Sequence, residues 1–239
     1  MSKIYLQNEL KKFVIVSSND SLRVAFKIQD NERTYIMGDS SSFLSLLGSS
    51  SLFEDEKLLV NMSKNFIFKQ GKTFDMSNSY GGYFSIELSK YCPNNIFYCF
   101  SLSREIHYNI GANIFINSAH NVNTYYYNLE ASKSVCSVFN DSDINILKID
   151  LNFETLEIIK SVVCTDSLPI LIICKVGHLD YQDIPLKLFL MKSGYKCINF
   201  LKEFIIGCPK IKLEYFLSTF KEAGAILEEN NFLLLEENV

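Results

Sequence analysis

The chain has 239 residues and a mass of 27.4 kDa, enough for one substantial hydrophobic core. Hydrophobic residues make up 48% and charged residues 21%, a globular composition that excludes an intrinsically disordered chain. A formal net charge of -4 and a pI near 5.5 supply no concentrated positive surface, so polynucleotide binding is not indicated.

In chain order, residues 12 to 38 contain FVIVSS, LRVAFKI and RTYIMG, short β-branched and aromatic runs separated by Asn19-Asp20 and Asp30-Asn31-Glu32. This pattern predicts a small antiparallel meander, and residues 1–50 read as a β-rich extension. Serine-rich SSSFLSLLGSSSLF follows as a connection with a short helix. From Glu54 the pattern becomes helical, with Leu58, Leu59, Met62 and Phe66 on one face, and opens the main domain at 51–239.

The main domain alternates strands and helices. Lys72 to Met76 is expected as a strand carrying Asp75 near its end, and Gly82 to Tyr91 as a helix. NIFYCF at 95–100 is a strand, Arg104 to Ala119 a helix, Asn123 to Tyr127 a strand, and INILKID at 144–150 another. ETLEIIKSVV reads as an amphipathic helix, and Pro169 to Val176 as a central strand covered on both faces. Leu186 to Ser193 leads through Gly194 into YKCINF, and Leu213 to Ala223 through Gly224 into AILEENNFLLLEE, both with the helix, glycine stop and apolar strand of a sheet extension or hairpin. This alternation predicts an α/β, Rossmann-like domain with a mostly parallel sheet and right-handed crossovers.

Seven cysteines occur without a Cys-x-x-Cys pair, and Cys99 and Cys174 sit inside apolar runs. They read as reduced core residues of a cytoplasmic or otherwise intracellular protein. The N-terminal MSKIYLQNELKK precedes only the short FVIV, and ILIICKV is far too short to span a membrane, so a soluble chain with no membrane span is expected. His107, His120 and His178 show no metal-ligand spacing, and no metal is expected. Neither a G-x-S-x-G elbow nor a phosphate-binding G-x-x-x-x-G-K-[ST] loop is present. Phe115 and Tyr125 to Tyr127 are expected to follow alternating sheet burial in preference to forming an aromatic base-stacking patch.

In a doubly wound sheet ligands sit beyond the carboxyl ends of the strands, so Asp75 followed by MSNSYGG marks the first candidate site. Gly81 and Gly82 allow a backbone turn at the start of a helix. Asp150, at the end of another strand and immediately before a helix, reads as a helix cap unless the site is active, when it would serve as a general base or orient the substrate. Gly111-Ala112-Asn113 in HYNIGANIFINSA looks like a second glycine turn, but its position predicts a helix containing a permissive glycine.

The segment KTFDMSNSYGGYFSIELSKYCPNNIFYCF resembles the cofactor-binding half of the FkbM-type S-adenosylmethionine-dependent methyltransferases. Asp75 matches the aspartate of the DxGANxG-like turn and Gly81 its last glycine. Ser77 stands at the first glycine, Asn78 at the alanine and Ser79 at the asparagine. INILKIDLNFETLEIIKS is similar to the LKIDxEGxExxxLKG-type segment through Lys148, Ile149, Asp150, Leu156, Glu157 and Lys160, with Asn152, Phe153 and Thr155 as departures. The resemblance spans roughly residues 12 to 200, in spacing better than in identity.

The resemblance implies a cofactor site of Asp75, Ser77, Ser79, Gly81 and Ser101, with Asp150 and then Glu154 as catalytic candidates, if the protein is active. The family's acidic ribose-binding residue after the second strand is absent, with Ser101 and Leu102 in its place. A serine cannot reproduce a charge-assisted bidentate contact. Two main functions follow. One is a methyltransferase-like protein with an eroded site and a structural or interaction role, with a protein partner or homo-oligomer. The other is methyl transfer from S-adenosylmethionine to a sugar or other small hydroxylated substrate. A different nucleotide-like ligand is a third reading.

Overall fold

A computed structural model describes residues 3–4, 13–18, 21–28, 33–37, 50–67, 70–77, 80–101, 103–126, 143–150, 159–160, 169–176, 183–200, 204–209, 214 and 218. Strands β1 (Lys3–Ile4), β2 (Phe13–Ser18), β3 (Ser21–Ile28) and β4 (Arg33–Met37) form an antiparallel sheet in sequence order. The three longer strands are the meander expected from the sequence.

Helix α1 (Ser50–Ser63) then leads through a short 3-10 turn, Lys64–Phe66, to the main sheet. Its elements are β5 (Lys72–Met76), α2 (Tyr83–Ser89), β6 (Ile96–Ser101), α3 (Arg104–Ile116), β7 (Val122–Tyr126) and β8 (Ile144–Asp150). β9 (Leu171–Lys175), α4 (Asp183–Lys192), β10 (Tyr195–Phe200) and β11 (Phe204–Pro209) follow. Gly111-Ala112-Asn113 lies inside α3, as expected. Gly194, with φ of 89°, ends α4 as the sequence foretold. Pro185 is in the first turn of α4, where a missing N–H costs little.

The seven-stranded sheet has the order β10-β11-β9-β8-β5-β6-β7. β5 to β9 pair parallel, whereas β11 runs antiparallel to both β9 and β10. The mostly parallel sheet is as expected, and FIIGCP, for which no strand was foreseen, pairs antiparallel with YKCINF, the hairpin alternative for that unit. The expected ETLEIIKSVV helix lies largely outside the described residues, which include helical Ile159 and Lys160. The Leu213 to Ala223 helix also lies largely outside them, and the AILEENNFLLLEE strand wholly so.

Side-chain alternation assigns each face of the sheet to different helices. Leu59 and Met62 of α1, Phe84 and Ile86 of α2, and Ile110 of α3 pack with Phe97, Cys99, Ile146 and Ile173. On the other face, Leu186 and Leu190 of α4 pack with Phe74, Leu147, Ile149 and Tyr195. Tyr195 is fully buried and its hydroxyl donates to the Pro169 carbonyl at 2.7 Å, tying the start of β10 to the lead into β9. Tyr195→Phe removes that donor and leaves a buried carbonyl one partner short. It is expected to lower unfolding free energy by about 1–2 kcal/mol in urea titration, and an unchanged midpoint would contradict the assignment.

Two expectations about surface and core receive different answers. Cys92, Cys99, Cys174 and Cys208 are buried free thiols, as anticipated, with Cys197 partly covered. By contrast, Phe115, Tyr125 and Tyr126 are all exposed, so the expected alternating burial does not hold there. Tyr126 faces His107 and Arg104 at the edge, and Tyr125 stacks on Tyr98 and Phe100 with one side open. Tyr127 lies outside the described residues.

Candidate functional site

The chain moves outward from β5 through β6 to β7, then resumes with β8 on the opposite side of β5. The reversal creates a topological switch point between β5 and β8, beyond whose carboxyl ends ligands of doubly wound folds sit. Asp75 and Lys148 are cross-strand partners at this point, and Asp150 ends β8 beside Lys175 of β9.

The Asp75 carboxylate faces into the protein and is 3% exposed. Its Oδ1 accepts from the Ser77 hydroxyl at 2.5 Å and the Ser77 amide at 3.2 Å, while Oδ2 accepts from the Ser85 hydroxyl at 3.0 Å. Lys148 Nζ donates to Ser77 Oγ at 2.5 Å and lies 3.9 Å from Asp75 Oδ1. On its far side the same ammonium is 3.2 Å from Glu56 Oε1 of α1. The Phe84 ring lies 5.3 Å from it. A glycine at position 77 would have no hydroxyl between Asp75 and Lys148, so Ser77 is an integral member of this buried cluster.

Burial alone would push the Lys148 pKa down, but Glu56, Asp75 and Asp150 outweigh it and hold the ammonium above its ordinary range. Burial raises the Glu56 carboxyl above its usual range, and the attraction of Lys148 does not fully reverse this. Sequence reading missed Glu56 and Ser85, and treated Lys148 only as a point of resemblance. A signal for Glu56 was available. It shares an i, i+3, i+4, i+7 stripe with Leu59, Val60 and Ser63, all of them buried, so its carboxylate stands where an apolar residue belongs. Lys148 likewise takes the place of a core side chain in β8.

Gly81 and Gly82 adopt left-handed conformations, with φ of 60° and 81°. The Gly81 carbonyl accepts from Asn113 Nδ2 at 2.9 Å, and a β-carbon at Gly82 would stand 3.0 Å from Ile110. These glycines therefore bring the start of α2 against α3. Ser101 is buried, and its hydroxyl donates to the Ser103 carbonyl at 2.9 Å while accepting from the Ser103 amide at 3.2 Å. Ser103 in turn caps α3 by accepting from the Ile106 amide. Asp150 is half-buried at its strand end. The structure thus brings Asp75 and Ser77 into one cluster, and Ser101 into a separate capping turn. Ser79, Phe153 and Glu154 lie outside the described residues.

Among the described residues there is no cluster of His, Cys, Asp and Glu able to hold a metal ion. No helix among them is long and apolar enough to cross a membrane.

No family model and no curated protein matches the sequence. Solved structures do match. A candidate SAM-dependent methyltransferase from Streptococcus mutans aligns with a TM-score of 0.51 at 13% identity, covering 85% of this chain and 57% of that one. TYW2 from M. jannaschii in complex with AdoMet has a TM-score of 0.49 at 16% identity, covering 81% and 88%. The precorrin-6y C5,15-methyltransferase of Geobacter metallireducens GS-15 gives 0.48 at 19% identity, covering 64% and 87%. This chain spans a little over half the length of the S. mutans protein. With the strand order above, the first of these likenesses shows that the chain has the α/β, mostly parallel Rossmann-like fold of methyltransferases.

Proposed function

We propose that this chain is a methyltransferase-like protein, a divergent relative of the FkbM type, whose cofactor site no longer serves S-adenosylmethionine and whose role is structural or interaction-based. The observation that carries this reading is the commitment of Asp75, Ser77 and Ser101 to partners within the chain. A ribose-binding carboxylate would need free acceptor oxygens beyond β6. Ser101 instead offers one neutral hydroxyl, already donated to a backbone carbonyl. Losing a charge-assisted contact of that kind costs about 1–3 kcal/mol, or roughly ten- to a hundredfold in affinity. The Ser77 hydroxyl fills the place where a glycine would leave room for close approach.

Isothermal calorimetry with S-adenosylmethionine, backed by a displacement assay, tests the reading. No saturable binding is expected up to roughly millimolar cofactor. Micromolar binding by the unaltered protein would overturn it and favour the second reading, O-methyl transfer to a small hydroxylated substrate. What favours that alternative is Asp150, half-buried at the switch point, where a carboxylate can accept a proton from a substrate hydroxyl.

A further inference from the structure

β7 is the outermost strand on its side of the seven-stranded sheet, and no strand among the described residues pairs with its outer edge. Open edges are normally defended by lysine, proline, a bulge or a covering element. VNTYY has no charge and no proline, and its pairing with β6 runs in register without a bulge. The opposite outer strand, β10, does carry a lysine, Lys196.

Helix α3 packs on one face of β7 and leaves its outer edge to the side. A β-carbon at Gly111 would meet Thr124 Cγ2 at 3.8 Å, and His107 Nδ1 lies 3.1 Å from Thr124 Oγ1. Tyr108, Phe115 and Ile116, spaced i, i+7 and i+8, form one apolar stripe, with exposures of 68%, 86% and 46%. Tyr125 and Tyr126 add two more exposed rings at the strand itself. Between residues 104 and 126 the only Asp, Glu, Lys or Arg residues are Arg104 and Glu105, one of each sign. Two copies of this surface therefore meet without net repulsion.

We propose that β7 and α3 form a two-fold interface between two copies of this chain. An antiparallel β7–β7 pairing centred near Thr124 continues the sheet across the axis and satisfies both open edges. The same rotation sets the two α3 helices side by side on one face, with the Tyr108 and Phe115 stripes against each other. Such an interface is self-complementary by construction. With aromatic side chains burying 150–250 Å² each when fully covered, the five exposed side chains contribute roughly 500 Å² per copy. That is about 1,000 Å² for the pair before the strand backbones are counted, close to what a specific interface requires. The surface uses none of Asp75, Ser77, Ser101 or Asp150, so it stands whether or not the cofactor site is intact.

Sedimentation velocity on the full chain across a concentration series provides the test, with Phe115→Glu and Tyr108→Glu as variants. The unaltered protein is expected to sediment as a dimer, and each variant to weaken dimerisation by about tenfold or more without shifting thermal unfolding of the monomer. A monomer persisting at roughly 100 µM would overturn the interface, as would a larger assembly or a dimer indifferent to both substitutions. None of these outcomes bears on the calorimetric test of cofactor binding.

Discussion

Lys148→Met is expected to lower the unfolding free energy by about 3–5 kcal/mol, the cost of removing one partner from a buried ion pair. Methionine approximates the stem of the lysine, so little packing volume is lost, and the effect isolates the charge. What remains is Glu56 and Asp75, both nearly inaccessible to water, with their common cation gone. The Ser77 hydroxyl also loses its donor. In a domain of this size the loss corresponds to a drop in melting temperature on the order of 10 °C. Thermal and urea unfolding read it directly, and a change below about 1 kcal/mol would show the cluster to be dispensable. Adding Glu56→Gln to Lys148→Met should recover part of the loss, because one uncompensated carboxylate is then removed.

The same cluster sets a pH dependence. Burial raises the Glu56 pKa in the folded protein, so on increasing pH the unfolded chain releases this proton first. The contribution of Glu56 is therefore full below its unfolded value and declines as pH rises through its folded value. Lys148, also raised, contributes fully below the ordinary lysine range and loses that contribution only as pH rises through its folded value. Glu56→Gln should accordingly flatten the stability profile above the ordinary carboxylate range and also weaken the alkaline limb, because Glu56 is the first of the charges that hold the Lys148 ammonium up.

Gly71→Ala is the second large effect, about 2–4 kcal/mol of destabilisation, although Gly71 has no unusual dihedral to mark it. A β-carbon there would stand 2.6 Å from Asn145 Nδ2 and 2.7 Å from the Asp143 carbonyl oxygen. That carbonyl accepts from the Lys72 amide at 2.9 Å, so the backbone cannot retreat without breaking the bond that ties the start of β5 to the lead into β8. Asn145 sits at the irregularity in the β5–β8 register, and its side-chain amide donates to Asn95 Oδ1 at 2.8 Å. Asn95 in turn donates to Thr73 Oγ1 at 2.9 Å. Displacing Asn145 thus loosens β5, β8 and the turn leading into β6 at the amino-terminal end of the parallel strands. Urea unfolding of Gly71→Ala within about 0.5 kcal/mol of the unaltered protein would refute this. Gly71→Ala with Asn145→Ala should relieve the side-chain overlap and leave the backbone one.

Strand and helix periods were readable because they are local. INILKID declared a strand through its apolar run, and its predicted limits match β8 residue for residue. FIIGCP has the same apolar character, yet its direction depends on a hairpin and on which neighbour has an open edge. No local pattern records that. Exposure of Phe115, Tyr125 and Tyr126 escaped for the same reason: a period assigns a face to a side chain but cannot say whether anything covers that face. The candidate site divides along this line too. Asp75, Ser77 and Asp150 could be picked out as strand-end polar residues, but only packing shows that Asp75 turns inward toward Lys148, 73 residues after it, whose ammonium is shared with Glu56, 19 residues before Asp75. The sequence by itself determined the alternating α/β plan, the strands flanking the switch point and the residues standing there. Tertiary structure alone decided the antiparallel β11 and the inward engagement of Asp75. Each of these is a pairing between segments distant in the chain, whose energy comes from shared burial and charge compensation.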